Sequence, residues 1–145
     1  MKPLVNTMLF RLTQQIREAQ YPFMKELGLT HGQPRVLRYV SQHDGCKQAD
    51  IANYYNTRAS TVSLIVDDLE KSGLLEKKQS AQCRRNVCLS LTEKGRACFE
   101  KLNAAQMQLQ DEMLEGFSEE ENEQFRHFIE QAIENLKEVS HEPVV

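Results

Sequence analysis

Residues 49–78 read ADIANYYNTRASTVSLIVDDLEKSGLLEKK, and this stretch decides the fold. Two amphipathic runs flank one asparagine. The first, from about Gln48 to Tyr55, sets Ile51, Ala52 and Tyr55 on one side, the spacing of a helix face. Asn56 follows, and asparagine tolerates the left-handed backbone that a sharp reversal between helices requires. The second run, from about Arg58 to Lys71, carries Val62, Ile65, Val66 and Leu69 as an apolar stripe, again at helical intervals. Gly73 ends it. LLEKK (74–78) and NVCLSL (86–91) are rich enough in Leu and Val to form two short strands, joined by the basic segment QSAQCRR (79–85).

The order helix, asparagine turn, helix, hairpin predicts a mainly α fold with a small β-hairpin wing. In a helix-turn-helix the first helix braces and the second lies in the major groove of DNA. The outward face of that second helix must then carry short polar and basic groups. Here it reads Arg58, Ser60, Thr61 and Ser63, with Leu64 beside them. Short hydroxyls let the helix approach base edges, and Arg58 suits phosphate or guanine. The unpaired amides at the helix start favour a phosphate as well. On the hairpin, Lys77 and Lys78 precede the tip and Arg84 and Arg85 occupy it. An arginine on such a wing suits the narrow minor groove, where the negative potential is enhanced.

Working outward, Val5, Leu9, Leu12, Ile16, Ala19 and Phe23 form a helix-period stripe near the N-terminus. Pro22 is expected to kink or break that helix, and Gly28 to stop it. Thr30 and Gln33 have capping-box spacing and open a short helix that buries Val36, Leu37 and Val40. SQHDGCK (41–47) is a turn. Beyond the hairpin, Thr92 is placed to cap a long helix carrying Cys98, Leu102, Ala105, Leu109 and Met113, which Gly116 breaks. Ser118 and Glu121 form a second capping box, opening a last helix with Phe125, Phe128, Ile129, Ala132, Ile133 and Leu136 facing inward. Apolar stripes at both chain ends exceed what one small lobe can cover, which points to a homodimer. The expected organisation is an N-terminal dimerisation helix at 1–29, a winged helix-turn-helix lobe at 30–91, and C-terminal dimerisation helices at 92–145.

Net charge is −3, which looks wrong for a DNA-binding chain until it is divided. From Lys47 to Arg96 there are nine Lys/Arg against six Asp/Glu, whereas from Asp111 to Val145 there are two against eleven. Basic charge is thus concentrated away from an acidic tail.

The run at 49–78, followed by CRRNVCLSLTEKGR (83–96), resembles the MarR family of bacterial transcriptional regulators. LTHGQPRVLRYV (29–40) is similar to that family's LTxxQxxvL opening of the second helix, so the resemblance spans essentially the whole chain. It implies a triangular homodimer whose two winged lobes enter successive major grooves of a pseudo-palindromic site. It also implies a repressor released by a small effector, often an aromatic or phenolic acid, held between the first two helices and the winged lobe. His31, Arg35, Arg38 and Tyr39 are the candidate polar contacts for that effector. The sequence departs from the family pattern in three places. Arg58 stands where Ser or Thr usually caps the recognition helix, with Thr57 one residue earlier. Leu64 stands where arginine is frequent, with Asp68 on the next turn, so fewer phosphate contacts and a weaker salt dependence are expected. Cys83 replaces the aspartate that commonly orients the wing arginine, here Arg85.

Cys83, next to Arg84 and Arg85, has cationic neighbours that lower a thiol pKa, and a redox-sensing repressor is therefore an alternative reading. A winged-helix adaptor that binds protein instead of DNA is another. The four cysteines (Cys46, Cys83, Cys88, Cys98) form no CxxC pair and the histidines are scattered, so neither a metal site nor a cofactor is expected. Free thiols are expected from a reducing compartment. No paired carboxylates, nucleophile elbow or phosphate-binding glycine loop can be assembled, so no enzymatic activity is expected. No apolar run approaches the roughly 20 residues of a membrane span, and the N-terminus does not read as a signal peptide. The expected location is cytoplasmic.

Overall fold

The computed structural model describes residues 1–79 and 87–139. Its elements are α1 (Val5–Glu26), α2 (Gln33–Gln42), α3 (Gln48–Tyr55), α4 (Ala59–Lys71), β1 (Leu75–Lys78), β2 (Cys88–Leu91), α5 (Glu93–Met113) and α6 (Glu119–Lys137). They divide into two compact units, Met1–Leu109 and Gln110–Val145.

The first unit holds the core. Val36, Leu37 and Val40 of α2 meet Ile51 and Ala52 of α3, and Val62, Val66 and Leu69 of α4. Leu74, Leu75, Leu89 and Leu91 close it from the hairpin, and Leu102 of α5 covers it. β1 and β2 pair antiparallel with Leu75 opposite Leu91 and Lys78 opposite Cys88. The Gly45 N–H donates to the Leu89 carbonyl at 2.9 Å and the Leu89 N–H to the Cys46 carbonyl at 2.8 Å. The turn after α2 thereby covers the far edge of the hairpin, an edge that would otherwise offer unpaired backbone groups.

Pro22 does not break α1, which is helical without interruption from Val5 to Glu26. Proline removes one backbone donor, and so close to the C-terminal end few later turns depend on it. The Thr30–Gln33 pair works differently from a capping box. The Gln33 side chain accepts from the Thr30 N–H at 2.9 Å, but α2 begins only at Gln33, with Gly32 at φ 87° as its N-cap. A Cβ on Gly32 would meet only the movable end of the Ile65 side chain, at 2.8 Å, so it is the left-handed backbone that calls for glycine there.

The LTEKG run, residues 91–95, is explained by a junction. Thr92 Oγ1 accepts from the Gly95 N–H at 2.9 Å, capping α5, and donates to the Gly73 carbonyl at 2.6 Å. Lys94 Nζ donates to the Ser72 carbonyl at 2.9 Å, satisfying the end of α4. A Cβ on Gly95 would stand 2.0 Å from the Leu74 carbonyl oxygen, so the first turn of α5 lies directly on the start of β1. Gly95→Ala is expected to destabilise the fold by about 1–3 kcal/mol, the usual cost of overpacking a filled site. Urea melts of the two proteins check this, and equal midpoints would contradict it.

In the second unit, Ser118 and Glu121 form the expected capping box, with Glu121 N–H to Ser118 Oγ at 3.0 Å and Ser118 N–H to Glu121 Oε1 at 2.9 Å. These bonds hold the Glu121 carboxyl below its ordinary pKa. Phe117 and Phe125 pack edge to face, centroids 5.9 Å apart. The expectation that α6 turns its apolar stripe inward is corrected: no residue of α6 is buried, and Phe128 and Leu136 are about two-thirds exposed. The stripe exists, but it stays uncovered among the described residues.

Candidate nucleic-acid interface

The reversal between α3 and α4 rests on Asn56, at φ 50° the one non-glycine left-handed residue among those described. The Thr57 N–H donates back to the Ala52 carbonyl at 3.0 Å. Arg58, extended at φ −71° and ψ 141°, is the N-cap of α4 and supplies no side-chain cap. The Ala59 and Ser60 amides at the start of α4 therefore keep hydrogen-bonding capacity for a ligand, while the Thr61 N–H already donates to the Arg58 carbonyl at 3.1 Å.

Val62, Val66 and Leu69 fix the inward side of α4. At 100° per residue, the opposite side is the line Ser60, Leu64, Asp67 and Lys71. Thr61 and Ser63 flank it, and Arg58, Ser60, Thr61 and Leu64 are exposed. The residues expected to face DNA thus share one surface, except that Ser63 is half-buried.

Lys77 is engaged within the protein. Its Nζ lies 2.7 Å from Asp67 Oδ1 and 3.7 Å from Glu70 Oε1, tying β1 to α4. The hydrogen bond from Lys77 holds Asp67 below its ordinary carboxylate pKa, and the same bond raises Lys77. Lys78 pairs with Glu76 at 3.1 Å. Arg84, Arg85 and Cys83 lie outside the described residues.

The expectation of four free thiols is corrected at Cys88, which is disulfide-bonded, while Cys46 and Cys98 are free. Compartment sets the average state of thiols, whereas chain geometry decides which sulfurs can meet. Burial pushes the Cys46 thiol up to about 11, so it stays protonated at neutral pH.

Of the four residues expected to hold an effector, Arg35 and Tyr39 both meet the Tyr55 ring, and Arg38 faces α5. Arg38 lines a cavity of about 530 Å³ between α2 and α5, with Ser41, Asp44, Arg96, Phe99 and Asn103. Its guanidinium lies 5.3 Å from the Phe99 ring centroid and donates to Asn103 Oδ1 at 3.0 Å and to Gln106 Oε1. Tyr39 belongs elsewhere, stacked on His43 at 4.2 Å and beside Tyr54 and Tyr55. Arg35 lies against the Tyr55 ring at 5.9 Å, and His31 is largely exposed, its pKa lowered by partial desolvation and by the charges of Arg17 and Arg35. Sequence reasoning missed Arg96, Phe99 and Asn103. Their spacing of three and four on α5 was the available signal, a second face beside the apolar stripe.

Two helices joined by a left-handed asparagine, a polar outward face and a paired hairpin define a winged helix-turn-helix DNA-binding transcriptional regulator. Comparison with known proteins narrows the class. Residues 29–87 match the model of the MarR family. The chain is 31% identical to the HTH-type transcriptional repressor MdtR of Bacillus subtilis over 116 residues, 80% of this chain and 75% of that protein. A putative MarR family transcriptional regulator from Listeria monocytogenes, solved with a 26mer DNA, superposes with a TM-score of 0.84 at 25% identity, covering 94% of this chain and 90% of that one. The S. aureus MepR–DNA complex gives 0.76 at 26% identity, covering 88% and 94%. The chain belongs to the MarR family.

Proposed function

We propose that this chain is a cytoplasmic homodimeric repressor that binds a pseudo-palindromic operator and is released by a small-molecule effector. The observation that carries the DNA reading is the outward face of α4, with hydroxyls and Arg58 at its N-terminal end and Asp67 neutralised by Lys77. The DNA complexes of the Listeria and S. aureus relatives support it. In this reading residues 30–91 bind DNA, with Arg84 and Arg85 on the wing, and residues 1–29 and 92–145 make the dimer. No enzymatic step is assigned. The cavity beside Arg38 is the site for the effector, whose binding favours a lobe spacing that no longer fits two major grooves.

Selection of duplexes from a random pool tests the reading. A preferred, two-fold symmetric site is expected. Arg85→Ala should then weaken binding to all sequences, and Ser60→Ala should relax preference at one position. Recovery of no preferred duplex at moderate salt would favour the protein-binding adaptor instead.

The bonded state of Cys88 supports a second reading, a redox-responsive wing. Dithiothreitol is then expected to shift the affinity of the wild-type protein for the selected duplex and to leave Cys83→Ser unchanged. The same response in both proteins would remove this reading.

A further inference from the structure

Among the described residues between 30 and 91, only Tyr54 and Leu64 are large apolar side chains left exposed, at 69% and 68%. Tyr54 packs against the rings of Tyr39 and Tyr55. Leu64 has no such company. A single exposed leucine is ordinary on a protein surface, so its exposure alone decides nothing; its position does. Leu64 is the sixth residue of α4, one turn after Ser60 on the line opposite the buried stripe. It stands between the hydroxyls of Ser60, Thr61 and Ser63 and the acidic stretch Asp67, Asp68 and Glu70. The hydroxyls, Arg58 and the unpaired first amides all lie at the N-terminal half of α4, so that half is the part that enters a groove, and Leu64 is its only large apolar side chain left exposed.

A leucine pressed against base edges discriminates by what it cannot do. Guanine, adenine and cytosine present acceptors and donors in the major groove, and an alkyl side chain strips their water without replacing a hydrogen bond. Thymine alone of the four unmodified bases presents a methyl group there. We infer that Leu64 is a specificity-determining residue that selects thymine by packing on its C5-methyl, at one position in each half-site. This rests on the DNA-binding reading above. Thr61 and Ser63, on either side, remain free to hydrogen-bond the neighbouring pairs.

The test uses the full-length protein and the duplex selected from the random pool, with 2′-deoxyuridine replacing thymidine one position at a time. Removing only the methyl is expected to weaken wild-type binding about fourfold at one thymine per half-site, the effect of one buried methyl. In Leu64→Ala, which alters an exposed side chain and leaves the core intact, that thymidine-to-deoxyuridine difference should vanish. Leu64→Gln should move the preference at the same position toward adenine, which accepts a bidentate amide. No sensitivity to deoxyuridine at any position, or equal sensitivity in wild type and Leu64→Ala, would overturn the inference while leaving DNA binding intact. Failure to select any duplex would overturn both.

Discussion

Replacing Phe128 and Ile133 together by aspartate is expected to convert the protein to a monomer and to weaken operator binding by about 10²–10⁴-fold. Phe128, Ile129, Ile133 and Leu136 recur at helical spacing on α6 and are between 36% and 67% exposed. Leu4, Val5, Met8, Leu9 and Phe10, around the start of α1, are exposed to a similar degree, between 42% and 72%. Contiguous apolar surface of this kind on a chain end marks an association site. Each large side chain contributes about 1.5–3 kcal/mol when fully covered, so two aspartates in the seam oppose dimerisation by several kcal/mol. Two lobes on one dimer bind a two-fold site with the second contact intramolecular, which accounts for the expected loss. Sedimentation velocity reads the oligomeric state, and circular dichroism reports whether the winged lobe remains folded. A variant that stays dimeric, or one that becomes monomeric and binds the duplex as tightly as wild type, would contradict the assignment of α6.

The winged lobe was legible because its signals are local. Asn56 sets a turn with its own backbone, Thr92 caps with its own hydroxyl, and Val62, Val66 and Leu69 declare one face of one helix; each of these expectations matches the structure. The α6 stripe was equally legible as a stripe, but periodicity gives a face and not what covers it, so "inward" was the wrong direction for a single chain. Pro22 leaves the helix unbroken because the rule for helix interiors weakens near a helix end. The site was read less completely. The alignment of Arg38 with Phe99 and Asn103 joins residues more than sixty positions apart, and no spacing within α2 reports it. Charge alone groups Lys77 with Lys78, Arg84 and Arg85, whereas its nearest group is a carboxylate on another element.

That carboxylate gives the second large effect. Lys77→Met is expected to weaken DNA binding about tenfold at 0.1 M salt, and Asp67→Asn in the same chain to restore most of the loss. Asp67 sits on the outward line of α4 and Lys77 cancels it at 2.7 Å while reaching toward Glu70 at 3.7 Å. Without that ammonium, Asp67, Asp68 and Glu70 lie uncompensated on the recognition helix, within a Debye length of about 10 Å of the docked phosphates. Lys77 would thus act by silencing a carboxylate and by holding β1 against α4. The double substitution separates this from direct phosphate binding. If Lys77 were a phosphate ligand, Asp67→Asn would not rescue Lys77→Met, and the salt dependence would lose about one charge in slope. The pH dependence follows from the same pair. Asp67 is held below the carboxylate value of 3.8, so the tie is complete above that value and is lost as pH falls through the lowered one. Binding of wild type relative to Asp67→Asn should therefore be constant from neutral pH down to mild acid. A wild-type advantage that titrated near pH 6 would point to a histidine and remove Asp67 from the account.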